Sequence, residues 1–232
     1  QVPADAVMNT NENPYPLSQE LSAAIAARVL DAAKNLNRYP DRDATVLRSK
    51  LAQFINSLSA TKLTEENIWA ANGSNEIIQS LFMAFGSGSA LGFTPSYSMH
   101  PLIAKVTGVS WINGSRREDF TLDYDSALAQ IQREKPVLTF ITTPNNPTGS
   151  SLSINEIEKL AKATPGLLVI DEAYAEFSEE TSAVSLIEKY PHVVVIRTMS
   201  KAFAFAGVRL GYLVADKAVI DAMYLVRLPY HL

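Results

Sequence analysis

Three segments of this chain are apolar almost without interruption and end in turn residues: PVLTFITTP at 136–144, GLLVIDEAY at 166–174 and HVVVIRTMS at 192–200. Such runs suit strands buried on both faces, whereas a sheet with one wet face shows alternating polar residues. SINEIEKLAKA, 153–163, lies between the first two and reads as a crossover helix. It opens with Ser153 three residues before Glu156, the spacing of a capping box. Upstream, NIWAANG (67–73) reads as a strand ending in turn residues. SNEIIQSLFMAF follows it, with Ile77, Ile78, Leu81, Phe82 and Phe85 at helical spacing. ALGFTPSY (90–97) reads as a short strand closed by a proline turn, and GYLVAD (211–216) as a final strand. Strands alternating with helices predict an α/β fold with a mainly parallel sheet.

The first part of the chain differs. NTNENPYPLS is polar and proline-interrupted, which predicts an extended arm; QELSAAIAARVLDAAKNL reads as a helix and NRYPDRD as a loop. The expected division is an arm with a first helix over 1–37 and the main unit over 38–232. A length of 232 residues, 47% of them hydrophobic, supports a packed core. The net charge of −4 gives no electrostatic footprint for nucleic acid or an anionic membrane. Cysteine is absent, which excludes disulfides and thiolate metal sites, and no metal is expected. No apolar run approaches the roughly 18 residues of a membrane helix, and the start lacks the pattern of a secretory signal. A soluble cytoplasmic protein is the expectation.

In an open parallel sheet, ligands bind beyond the carboxyl ends of the strands. Here NGSNE, PNNPTG, DEAY and TMSK fall at those ends. One such cluster is ordinarily a turn or a cap; four with complementary chemistry point to a site. Asp171 emerges from the buried run LLVI, where a carboxylate is costly unless it caps a helix or meets a positive group such as a protonated pyridine nitrogen. Tyr174 and Asn146 could reach a phenolate oxygen on the same ring, although asparagine before proline is common in turns. Gly73, Ser74 and Asn75 precede a predicted helix and form either an anion site or an ordinary cap. Thr198, Ser200 and Arg209 make a phosphate a fitting ligand, because a guanidinium is a planar, doubly donating fork. Lys201 lies between small hydroxyl residues and an alanine-rich stretch, eight positions before Arg209. An aromatic cation, a phenolate and a phosphate near one lysine describe pyridoxal 5'-phosphate held as a Schiff base.

With these motifs in view, the sequence resembles the fold-type-I aminotransferases, and within them the histidinol-phosphate aminotransferase branch. NTNENPYP, NRYPD, ANGSNE, TPSYSMH, PNNPTG, DEAYAEF, TMSKAFAFAGVRLGY and RLPYHL carry the likeness over nearly the whole chain. The resemblance implies the large domain of a pyridoxal-phosphate-dependent transferase, with a seven-stranded sheet flanked by helices and the C-terminal small domain outside this chain. It implies that Lys201 bonds the cofactor, Asp171 pairs with the pyridinium nitrogen, and Asn146 and Tyr174 meet the ring hydroxyl oxygen. Tyr97 would stack on the ring; Ser74, Asn75, Thr198, Ser200 and Arg209 would bind the phosphate. Tyr39 would reach the phosphate of a neighbouring subunit in a homodimer, and Tyr15 would line the substrate pocket. Taken from the residues alone, both tyrosines read as partly buried packing residues. His100 is read as a surface or pocket variant with no role, and His192 as a loop residue.

The implied activity is reversible transamination between L-histidinol phosphate and 2-oxoglutarate, giving imidazole-acetol phosphate and L-glutamate in histidine biosynthesis. Three other readings are carried beside it: an aromatic amino acid aminotransferase, another pyridoxal-phosphate reaction such as decarboxylation, and a non-catalytic ligand sensor. The acidic charge and the absence of a helix-turn-helix segment oppose the last.

Overall fold

The structure is a computed structural model that describes residues 10–232. The first nine residues, which include the beginning of the expected arm, lie outside the described residues.

The apolar runs become strands. β1 (Ile68–Ala71), β2 (Ser89–Thr94), β3 (Ser110–Ser115), β4 (Leu138–Thr142), β5 (Leu167–Asp171), β6 (Val193–Thr198) and β7 (Gly211–Val214) form one sheet. Its order is β1-β7-β6-β5-β4-β2-β3. β2, β3, β4, β5 and β6 pair in parallel, and β7 runs antiparallel to both β1 and β6. β1 therefore points the same way as β6, and the carboxyl ends of β1, β4, β5 and β6 share one edge with the start of β7.

Helices cover both faces. Alternate residues of β5 show why the run had to be apolar throughout: Ile170 joins one core and Val169 the other. The Ile170 core takes Leu51 and Ile55 of α2 (Thr45–Ser59), Ile131 of α5 (Tyr124–Glu134), and Ile157 and Leu160 of α6 (Ile154–Ala163). The Val169 core takes Ile77, Ile78, Leu81 and Phe82 of α3 (Ser74–Phe85), Ile103 of α4 (Met99–Thr107), and Val219, Ile220 and Met223 of α7 (Lys217–Val226). At about 1.5–3 kcal/mol for each large apolar side chain buried, these two layers dominate the favourable side of folding. The capping box of α6 is present: the Glu156 carboxylate accepts from the Ser153 N–H at 2.8 Å and from its hydroxyl at 2.7 Å.

α1 (Gln19–Ala33) forms where expected, and Ser18 caps it by accepting from the Leu21 N–H at 3.1 Å, yet none of its residues is buried. The loop 37–43 separates it from α2. α2, α4, α5 and α7 had no sequence-based expectation, nor had β3. β3 is an edge strand whose Asn113 and exposed serines break the apolar pattern. No helix among the described residues is long and apolar enough to cross a membrane. Among the described residues no group of three or more His, Cys, Asp or Glu side chains could hold a metal ion.

Candidate active site

The shared edge of the sheet opens into a cavity of about 480 Å3. Ser74, Asn75, Tyr97, Asn146, Asp171, Tyr174, Thr198, Ser200, Lys201 and Arg209 all line it. The structure thus brings together ten of the twelve residues that sequence reasoning named. Tyr15 and Tyr39 stand apart from it, 77% and 80% exposed.

One end of the cavity is built for an anion. The N-cap of α3 is Gly73, which has no side chain to satisfy the first helical amides, so ordinary capping does not consume them. Gly73 sits at φ 91°, a conformation side chains rarely adopt, and a Cβ there would run into the Arg209 guanidinium. A Cβ on Gly211 would lie 2.6 Å from the Ser74 nitrogen. These two glycines let the start of β7 and the arginine close directly over the helix N-terminus. Arg209 is itself left-handed at φ 60°, a strain of about 1 kcal/mol for a residue with a side chain. Its Nη1 donates to the Ala206 carbonyl at 3.1 Å and reaches the Ser200 hydroxyl at 3.4 Å. The Thr198 hydroxyl accepts from the Ser200 N–H at 3.1 Å. Tyr97 donates to the Asn75 side-chain oxygen Oδ1 at 3.1 Å, and burial raises the proton affinity of its phenol.

At the carboxyl end of β5, Asp171 is 2% exposed. It does not cap a helix. One carboxylate oxygen accepts from the Ala173 N–H at 3.1 Å, and the other lies 3.0 Å from His100 Nε2. His100, expected to be a surface or pocket variant without a role, is buried among Tyr97, Trp111 and Phe140. Its burial overturns the surface reading. His100 stands in the first turn of α4, and no local sequence pattern marks its contact with Asp171. His192 lies in the turn before β6, as expected, with Nε2 2.9 Å from the Ala161 carbonyl.

The arm also enters the site, at residues the sequence did not single out. Asn11 and Glu12 line the cavity. Asn11 donates to the Tyr174 hydroxyl at 2.8 Å, and its carbonyl accepts from Lys201 Nζ at 2.8 Å. Asn146 approaches the same hydroxyl at 3.5 Å, and Lys201 Nζ lies 5.8 Å from the centre of the Tyr174 ring. Burial lowers the proton affinity of Lys201 below the ordinary lysine value; Glu12 opposes this in part, and Arg209 adds to it. A partly desolvated amine of lowered basicity is a better nucleophile and base near neutrality than a surface lysine.

Residues 5–232 match the family described as aminotransferase class I and II. The chain belongs to this family. Among curated proteins, the histidinol-phosphate aminotransferase of Corynebacterium diphtheriae is 54% identical over 235 residues, covering all of this chain and 64% of that protein. That of Mycobacterium marinum is 55% identical over 228 residues, covering 97% of this chain and 60% of that protein. The chain thus spans less than two thirds of the length of these relatives. Among solved structures, the histidinol-phosphate aminotransferase from Clostridium acetobutylicum superposes with a TM-score of 0.79 at 28% identity, over 96% of this chain and 64% of that one. The enzyme from Sinorhizobium meliloti, solved in complex with pyridoxal-5'-phosphate, gives 0.80 at 24% identity, over 95% of this chain and 59% of that one, and speaks for the shared fold.

The aminotransferase fold and the cavity agree in placement, since ligands of open α/β sheets bind beyond the carboxyl ends of the strands. The donor set also fits pyridoxal phosphate chemically. Free amides, hydroxyls and a guanidinium suit a phosphate, a buried carboxylate suits a cationic ring nitrogen, and a phenol with an amide suits a ring oxygen.

Proposed function

We propose that this chain is the cofactor-binding large domain, over 38–232, of a histidinol-phosphate aminotransferase, preceded by an arm and first helix. The observation that carries this reading is the cavity itself, where a lysine of lowered basicity, a buried carboxylate and an anion cradle meet. The substrate pair is L-histidinol phosphate and 2-oxoglutarate, giving imidazole-acetol phosphate and L-glutamate in histidine biosynthesis. The relatives' names support histidinol phosphate as the amino donor.

In this reading the α3 amides at Ser74 and Asn75, with Thr198, Ser200 and Arg209, hold the phosphate of pyridoxal 5'-phosphate. Asp171 holds a proton on the ring nitrogen through its charge, and Asn146 and Tyr174 meet the ring oxygen. Tyr97 supplies an aromatic face. When bound, the cofactor supplies an electron sink that makes the Cα–H bond of an amino substrate acidic. Lys201 would form the covalent attachment, and its freed Nζ would take the proton from the substrate Cα and deliver it to C4' of the cofactor. Tyr39, exposed on its own chain, reaches the phosphate site of a second subunit, and Tyr15 contributes to the substrate pocket of the assembled homodimer.

The test is made on the full-length protein. Borohydride reduction in the presence of pyridoxal phosphate should label the peptide containing Lys201, and turnover should be far faster with histidinol phosphate than with phenylalanine. Labelling at Lys105 or Lys217 would refute the site, and preference for phenylalanine would refute the substrate.

A further inference from the structure

Tyr174 lies in a segment with no hydrophobic anchor. The single 3-10 turn that follows it, Ala175–Phe177, buries none of its residues, and the Phe177 ring is exposed. The phenol's own partners are side-chain amides of two loops, Asn11 and Asn146. Backbone bonds from the Glu172 N–H to the Ile196 carbonyl, 2.9 Å, and from the Ala175 N–H to the Glu172 carbonyl, 3.1 Å, start the turn, and side chains from elsewhere have to lock it.

Alternation along β6 points to what does. Val195 packs in the same core as Tyr212 and Val214, whereas Ile196 packs in the other. Thr198 therefore faces the cavity, and Arg197 lies behind the sheet, opposite Tyr212 in the β6–β7 register. There Arg197 is buried and meets two carboxylates: Nε lies 3.0 Å from Glu172 Oε2, and Nη1 donates to Glu176 Oε1 at 2.8 Å. Those glutamates stand two residues before and two after Tyr174. Glu172 is itself fixed, accepting from the Ala183 N–H at 2.7 Å and the Ser182 hydroxyl at 2.8 Å. Burial raises its proton affinity and Arg197 opposes the shift. Burial keeps Tyr212 a neutral phenol, so the charge of Arg197 is balanced by these two carboxylates among the described residues.

We propose that Arg197 is a positioning residue for Tyr174: from behind the sheet its guanidinium grips Glu172 and Glu176 together and thereby sets where the phenol stands in the cavity. A planar fork with separate donors can hold two carboxylates at once, which a single ammonium does less well. The proposal rests on the reading of the cavity as a pyridoxal-phosphate site, because that reading gives the placement of the phenol its consequence.

Arg197→Met risks misfolding, since it strands a buried carboxylate. The informative variant is Glu176→Ala, whose carboxylate side chain is 18% exposed and whose loss leaves the Glu172 pair intact. Two readouts are taken on the full-length protein. In the cofactor-free protein, amide exchange over 175–178 should accelerate roughly tenfold or more, the worth of one charge-assisted hydrogen bond. In the pyridoxal-phosphate-loaded protein, the pH midpoint of the cofactor absorbance should move in the direction that Tyr174→Phe moves it, and Glu176→Ala should add nothing further in a Tyr174→Phe background. Arg197→Lys should give a partial shift in both readouts. A lowered melting temperature with exchange and midpoint unchanged would overturn the proposal, as would midpoint shifts that add in full. If the wild-type protein takes up no pyridoxal phosphate, the reading of the cavity fails, and the exchange measurement still decides whether Arg197 holds the turn.

Discussion

His100 Nε2 lies 3.0 Å from Asp171 Oδ2, and both side chains are about 2–3% exposed. The imidazole meets the carboxylate from a buried position outside the cavity lining, so Asp171 is held in one orientation before any ligand arrives. Asp171→Asn should therefore damage turnover far more than cofactor affinity, because the amide cannot hold a ring proton by charge while the phosphate contacts remain. His100→Leu leaves the charge but removes its partner. A lost hydrogen bond to a buried charged group is worth about 1.5–3 kcal/mol, so kcat should fall by roughly 10- to 100-fold. The check is kcat beside the pyridoxal-phosphate dissociation constant for each variant. Near-normal turnover of Asp171→Asn would remove the electron-sink role from that residue.

Lys201 and Lys217 should separate by reactivity. Burial lowers the proton affinity of Lys201, whereas the Asp221 hydrogen bond raises that of Lys217, both relative to the ordinary value of 10.5. An amine reacts only when deprotonated, so a lowered proton affinity shifts its reactivity to lower pH and a raised one to higher pH. In the cofactor-free protein, acylation by a small anhydride should have its pH midpoint lower at Lys201 than at Lys217, read peptide by peptide in a mass spectrometer. Coincident midpoints would mean that Lys201 is an ordinary surface amine. Lys201→Ala should abolish covalent cofactor uptake and turnover with an unchanged far-ultraviolet circular dichroism spectrum.

Gly73 and Arg209 form a second tight relationship. Gly73→Ala combines a φ of 91° with a collision against the guanidinium. Backbone strain alone costs about 1–3 kcal/mol, and the displaced arginine loses its place over the α3 amides. Pyridoxal-phosphate affinity should fall by roughly tenfold or more. Gly149, also at positive φ but with open space around its Cβ position, is the control: Gly149→Ala should cost stability with little change in affinity.

How much of this was legible in the sequence follows from which forces each element obeys. β4, β5 and β6 were legible because burial on both faces makes their runs mostly apolar, and the polar residues at their ends stood out against those runs. β3 was not, because an edge strand with Asn113 and exposed serines need not be apolar. His100 was missed because its burial depends on Trp111 of β3 and Phe140 of β4, and no local pattern announces that contact. Asn11 and Glu12 were missed for a related reason: the arm reaches Tyr174 and Lys201 across more than 160 residues of sequence. Motif chemistry located the residues that line the cavity, and tertiary packing decided which neighbours hold them.

Tyr39 is 80% exposed, sits in the loop before α2, and stacks on Tyr230 with ring centroids 4.4 Å apart. That stack gives it a defined place on the surface, away from the cavity of its own chain. If it completes the phosphate site of a second copy, each site needs both chains, and cofactor binding favours the dimer by mass action. Lys201→Ala and Tyr39→Ala should each be inactive or nearly so as pure full-length proteins. Mixed under conditions that allow subunit exchange, they form hybrids in which one site carries both defects and the other carries neither. With free exchange about half the dimers are hybrids with one intact site, so about a quarter of wild-type activity should return. Exchange verified by native mass spectrometry with no recovered turnover would show that Tyr39 serves its own chain.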